Sequence, residues 1–148
     1  MTVELPRPAP SITPDTAAFW AGTLEGKLLL ERCEECDTVV WYPRGGYCPV
    51  CGKFSTKQFE AAGTGSVYTF TVVHRGLGDY AKLPPFVLAY VELDEGPRLM
   101  TNVIDCEPDD VHIGMRVRAV FHDTGQGSAI YRFVPESDAE RKAASDAV

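Results

Sequence analysis

With 148 residues, 45% of them apolar, the chain carries enough hydrophobic material for one ordinary domain, or for one small domain plus a metal-stapled module. A formal net charge of −7 argues against a general nucleic-acid binder, which carries a basic balance. No run of about 18 apolar residues occurs, so no membrane span is expected; the start of the chain has no apolar stretch of the signal-peptide kind, and the cytoplasm is the expected compartment.

Residues 1–12 hold Pro6, Pro8 and Pro10 and read as an extended arm, either disordered or laid along a partner. Residues 13–26 read as a helix. Thr13 is the expected N-cap, Pro14 the first helical residue, Asp15 a favourable charge at the positive end, and Gly26 the stop. Phe19, Trp20 and Leu24 gather on one side of it, and an aromatic side of a short helix must be buried, on its own domain or on a partner.

Residues 27–60 contain the most informative pattern, Cys33-Glu34-Glu35-Cys36 and Cys48-Pro49-Val50-Cys51, with 11 residues between the pairs. Each Cys-x-x-Cys folds into a knuckle that aims both sulfurs at one point, and two knuckles make a tetrahedral thiolate site suited to structural Zn²⁺. The gap is shorter than the common spacing of about 15–20 residues, yet it accommodates a hairpin arm (Val39 to Tyr42) and a return loop. Two disulfides would need an oxidising compartment, a thioredoxin-like centre would need a single pair beside a βαβ unit, and iron is chemically compatible with four thiolates. A closed set of four thiolates leaves no open position, so the site reads as structural. Arg44, Lys53 and Lys57 lie nearby among Trp41, Tyr42 and Tyr47, with no carboxylate from residue 38 to 59. They either compensate the negative centre or face an anionic ligand or partner.

From residue 61 to 136 the period changes to two. Residues 66–74, 86–95, 98–106, 116–124 and 129–136 read as five short antiparallel strands. The turns fall at Glu95-Gly96-Pro97, Pro108-Asp109-Asp110 and Gly125-Gln126-Gly127. A small closed barrel is expected, the OB-fold being the five-stranded candidate beside an SH3-like barrel or a sandwich. Cys106 ends an apolar strand and reads as a buried thiol. Residues 137–148 are a polar tail, frayed helix or disordered. His74, His112 and His122 stand near no nucleophile in sequence, and neither a Gly-x-Ser-x-Gly, a Gly-x-Gly-x-x-Gly nor a P-loop occurs. These features read as a binding or scaffolding module.

The order of Thr13-Pro14-Asp15-Thr16 with Phe19-Trp20, then Gly26-Lys27-Leu28, the paired Cys-x-x-Cys motifs with Pro43-Arg44 between them, Gly63-Thr64-Gly65 and Pro84-Pro85-Phe86 resembles a known family. It is similar to the acyl-CoA-associated OB-fold proteins with a rubredoxin-like zinc ribbon. The resemblance implies a mainly β fold: an N-terminal helix, a rubredoxin-like zinc ribbon and a five-stranded OB-fold barrel. It implies structural zinc on Cys33, Cys36, Cys48 and Cys51, and a non-catalytic accessory role in an acyl-CoA-processing hetro-oligomer. The implied partner is a thiolase-like protein, an acyltransferase or steroid side-chain aldolase, since the chain carries no hydratase-like segment; a two-plus-two assembly is expected. Phosphates of the CoA thioester would need cations, for which Arg44, Lys53, Lys57, Arg75 and Lys82 are the candidates, the last two in a glycine-bearing loop over residues 75–85. Phe19, Trp20, Trp41 and Tyr42 are the candidate partner contacts. The alternative is a single-stranded nucleic-acid-binding OB-fold module, which the net charge disfavours; a redox or metal-storage role for the thiolates is weaker still.

Overall fold

The computed structural model describes residues 3–147; Met1, Thr2 and Val148 of the expected arm and tail lie outside the described residues. The first helix, α1, spans Ala17–Leu24, three residues shorter at its start than the Thr13 cap predicts. Thr13 and Thr16 instead close a turn of their own: the Thr16 N–H donates to the Thr13 carbonyl at 3.0 Å and the Thr13 N–H to Thr16 Oγ1 at 3.0 Å. At the other end Gly26 takes φ = 71°, and the N–H groups of Gly26 and Lys27 donate to the carbonyls of Thr23 and Gly22. These bonds satisfy two of the carbonyls in the last turn, and the left-handed conformation at Gly26 is one that glycine adopts freely.

The ribbon sheet follows: β1 Leu29–Cys33, β2 Val39–Val40 and β3 Thr56–Glu60, in the order β2-β1-β3. The third strand is one the sequence pattern did not show. Five strands then close a barrel: β4 Thr64–Val73, β5 Phe86–Leu93, β6 Arg98–Val103, β7 Arg116–Asp123 and β8 Ala129–Pro135, in the order β4-β5-β6-β8-β7. Along β5 the residues Val87, Ala89, Val91 and Leu93 turn inward, the period-two alternation that identified the strand. One joint departs from the expected antiparallel pattern. β6 meets β8 in parallel, with Val103 opposite Phe133.

Side chains reinforce that joint. Thr101 Oγ1 donates to the Tyr131 carbonyl at 3.2 Å, and Arg132 Nε to Asn102 Oδ1 at 3.3 Å. Buried Arg132 also donates to the carbonyls of Leu5 and Pro6, drawing the N-terminal arm over the joint with Leu5 buried beneath it. The described part of the arm therefore lies along the chain's own barrel. The tail forms a second helix, α2 Asp138–Asp146, opened by a capping box between Ser137 and Glu140. No helix among the described residues is long and apolar enough to cross a membrane.

Ribbon and barrel are joined through α1. Phe19 is 0% exposed, and its ring is ringed by Trp20, Trp41, Tyr42 and Tyr131 at centroid distances of 4.9, 5.1, 5.7 and 6.1 Å. These neighbours come from the helix, the ribbon and β8. The Trp20 indole N–H donates to the Tyr42 hydroxyl at 2.7 Å, and Thr23 Oγ1 accepts from the Ala129 N–H at 2.9 Å. Helix and β1 approach so closely that a Cβ on Gly22 would lie 2.6 Å from Leu29 Cδ1. Truncating the hub removes contacts with every part at once. We expect Phe19→Ala to lower the unfolding free energy by about 3–5 kcal/mol, read from the urea midpoint, with exposed Leu24→Ala as the near-neutral control.

Candidate metal centre

The two knuckles are built alike. In the first, the Asp37 N–H donates to the Cys33 carbonyl at 2.9 Å and the Cys33 N–H to the Thr38 carbonyl at 2.9 Å. In the second, the Gly52 N–H donates to the Cys48 carbonyl at 2.9 Å and the Cys48 N–H to the Lys53 carbonyl at 2.8 Å. Asp37 and Gly52 hold the matching left-handed position, with φ of 61° and 76°. This is the position four residues after the first cysteine of each pair, where the backbone must reverse to return the second sulfur.

The result is a compact sulfur cluster. All four Sγ atoms of Cys33, Cys36, Cys48 and Cys51 lie within 4.8 Å of one another, with Cys33–Cys51 and Cys36–Cys48 each at 3.6 Å. Sulfurs bound at about 2.3 Å to one tetrahedral ion would be about 3.8 Å apart. A disulfide needs about 2.05 Å; all five cysteines are free thiols, and the donor set fits a structural metal ion. The local surroundings of the sulfurs differ. The Thr38 hydroxyl, 3.1 Å from Cys36 Sγ, and the Thr38 N–H hold the Cys36 thiol down to about 6. Cys51 is pushed up to about 11: the Lys53 N–H favours its thiolate, but desolvation and the three neighbouring sulfurs prevail. A metal ion among the four sulfurs would favour their thiolate forms.

The fifth cysteine stands apart. Cys106 is half-buried beyond the end of β6, its thiol pushed up by desolvation and then by Asp110, Asp105 and Glu107. It lines a mainly apolar cavity of about 630 Å³ with Leu5, Pro85, Phe86, Val103 and Ile104.

The cations expected to hold CoA fall into distinct groups. Lys53 is paired with Glu35 at 3.0 Å and Lys57 with Glu34 at 2.8 Å, so both answer the carboxylates of the first knuckle. Arg44, Arg75 and Lys82 form no ion pair among the described residues. Arg44 belongs to the ribbon, which meets the barrel where Arg32, Val39 and Trp41 face the β5–β6 turn at Gly96 and Pro97. Arg75 and Lys82 lie in the β4–β5 connection, at the opposite end of β5, whose 8 residues run about 26 Å. The ribbon cations and the loop cations thus stand at opposite ends of β5.

The aromatic contacts are likewise redistributed. Phe19 is buried and Trp20 is only 7% exposed, both inside the chain's own core, so neither offers a face to a partner; Trp41 and Tyr42 are half-buried against the same hub. The large exposed apolar residues include Leu24 on α1, Val50 and Phe54 on the second knuckle, Leu77 in the β4–β5 connection, and Tyr68, Tyr90 and Met100 on the barrel. The repeated left-handed position and the Thr38 donor were missed in the sequence. Aligning the two Cys-x-x-Cys segments would have placed Asp37 opposite Gly52 and flagged both.

A family model described as ChsH2, rubredoxin-like zinc ribbon domain, matches residues 20–56, and one described as ChsH2, C-terminal OB-fold domain, matches residues 58–122. A DUF35 domain-containing scaffold protein of Methanocaldococcus jannaschii is 40% identical over 111 residues, covering 70% of this chain and 78% of that one. A probable enoyl-CoA hydratase alpha subunit of Thermomonospora curvata is 41% identical over 111 residues, 75% of this chain but 34% of that relative's length. Among solved structures, a chain of the Ltp2-ChsH2(DUF35) aldolase superposes with a TM-score of 0.75 at 36% identity, over 86% of this chain and 98% of that one.

Metal analysis of protein purified without oxidation should find about one ion per chain. Cys33→Ser and Cys48→Ser should lose it, whereas Cys106→Ser should retain it; metal loss in the Cys106 variant would overturn the ligand assignment.

Proposed function

The chain belongs to the family of ChsH2 and the DUF35 scaffold proteins, and from that premise we propose that it is the non-catalytic accessory subunit of an acyl-CoA-processing complex. Its partner in this reading is a thiolase-like protein, an acyltransferase or an aldolase, and the pair assembles two-plus-two on the partner's own dimer. The supporting observation is the match to 98% of a chain from a structure named for Ltp2 together with ChsH2(DUF35) and called an aldolase. The two family models cover the ribbon over residues 20–56 and most of the barrel over residues 58–122.

The ion in this reading is Zn²⁺. Four thiolates on two preformed knuckles suit a metal with no geometric demand of its own, and a closed set leaves no place for substrate. Its contribution is to fold the ribbon and hold its outer surface rigid. X-ray absorption should then give four sulfurs at about 2.3 Å.

The CoA thioester is held, we propose, on the β4–β5 connection. Arg75 and Lys82 lie in one loop, with Asp79 between them, and form no ion pair among the described residues, so a pyrophosphate or 3′-phosphate would find there positive charge that paired Lys53 and Lys57 do not offer. The acyl chemistry belongs to the partner. The purified chain alone should turn over no acyl-CoA above background. In the assembled complex, Arg75→Glu and Lys82→Glu should raise the KM for CoA thioesters several-fold with assembly intact, while Lys57→Gln should leave it unchanged. An unaltered KM in both charge reversals would remove the CoA-holding role, and turnover by the isolated chain that one substitution abolishes would refute the non-catalytic one.

A further inference from the structure

We propose that the second zinc-ribbon knuckle, residues 47–54, is the surface that docks on the thiolase-like partner, where it enters an apolar cleft bordered by carboxylates. The inference rests on the accessory-subunit reading above and adds the place and chemistry of the contact.

The argument starts from the likeness of the two knuckles. Their hydrogen bonds and left-handed positions correspond one to one, so whatever differs between them is not required by the fold. Their tips differ completely. Where the first presents Glu34 and Glu35, the second presents Pro49 and Val50; where the first continues into half-buried Val39, the second continues into Phe54. Val50 is 69% exposed and Phe54 77% exposed. Solvated carboxylates serve the equivalent turn of the first knuckle, so apolar side chains on the second answer to something outside the chain.

The patch also has the composition and rigidity of a contact anchor. The Tyr47 and Phe54 rings stand 5.3 Å apart, and their backbones bridge across the knuckle, so the aromatic pair is set before any encounter. The metal fixes the same turn from within, which lowers the ordering cost of association. Aromatic residues with an arginine are the side chains most often found at the energetic centre of interfaces.

Charge selects the occupant. Lys53 and Lys57 are neutralised by Glu35 and Glu34, which leaves Arg44 as the cation of the knuckle loop without an ion pair among the described residues. The complementary surface is therefore apolar with a carboxylate at its border. A second copy of this chain is a poor fit, since each copy carries a net charge of −7.

The test uses the full chain, co-expressed in turn with each thiolase-like protein of its source genome, with the complex mass read by light scattering and affinity by titration. The wild type should hold one of them. Val50→Asp and Phe54→Asp should each weaken that complex about tenfold or more, with metal content and melting temperature as in the wild type. Ile113→Asp, at a 70% exposed apolar residue in the β6–β7 connection, should change affinity by less than about twofold. Full-strength binding by both knuckle variants would overturn the docking assignment and leave the accessory reading standing. Failure of the wild type to hold any thiolase-like protein would overturn both. Loss of a homodimer in the knuckle variants, with the partner complex intact, would assign the patch to a second copy and overturn the proposal.

Discussion

Four sulfurs within 4.8 Å of one another are the constraint on which the ribbon depends. Ionised without a metal they repel; protonated they form a small cluster with little cohesion. The metal converts this liability into folding free energy, so a segment with two short strands and one polar edge strand can hold a fixed shape. The two left-handed residues, Asp37 and Gly52, are the backbone cost of aiming the sulfurs inward. They are tolerated because each closes a pair of main-chain hydrogen bonds across its knuckle.

That rigidity reaches the barrel through aromatic packing. Phe19 touches rings from helix, ribbon and β8, and the Trp20–Tyr42 hydrogen bond fixes the orientation of two of them. Burial pushes the Tyr131 hydroxyl up to about 12, aided by Tyr42. Ribbon and barrel consequently form one body with two chemically different surfaces. An apolar knuckle lies at the metal end, and a cation-bearing loop lies at the far end of β5. The docking and CoA-holding roles proposed above fall on these two different surfaces.

Much of this was legible in the sequence because the informative signals are local. Cysteine spacing pointed to the four sulfurs that cluster, period-two alternation marked the five barrel strands to within a few residues, and Gly26 marked the helix end. The unread features are those set by distant partners. β3 has the sequence Thr56-Lys57-Gln58-Phe59-Glu60, too polar to show a buried face, and becomes a strand by pairing with β1. The arm is ordered by Arg132, more than 120 residues away in sequence. The aromatic side of α1 announced that it must be buried but not where; Tyr131, 112 positions beyond Phe19, settles that within the chain. The expected CoA cations divided for the same reason. Lys53 and Lys57 found carboxylates across the knuckles, which no reading of their own neighbourhood reveals.

The central claim is that a metal-held ribbon presents this chain to its partner. The most direct test follows the mass of the proposed complex with a thiolase-like protein by sedimentation, anaerobically, as a chelator strips the metal and zinc is then restored. The account predicts that the complex dissociates on stripping while barrel circular dichroism persists, and that it re-forms when zinc returns. A metal-free chain that keeps the complex at full mass and full turnover would contradict it.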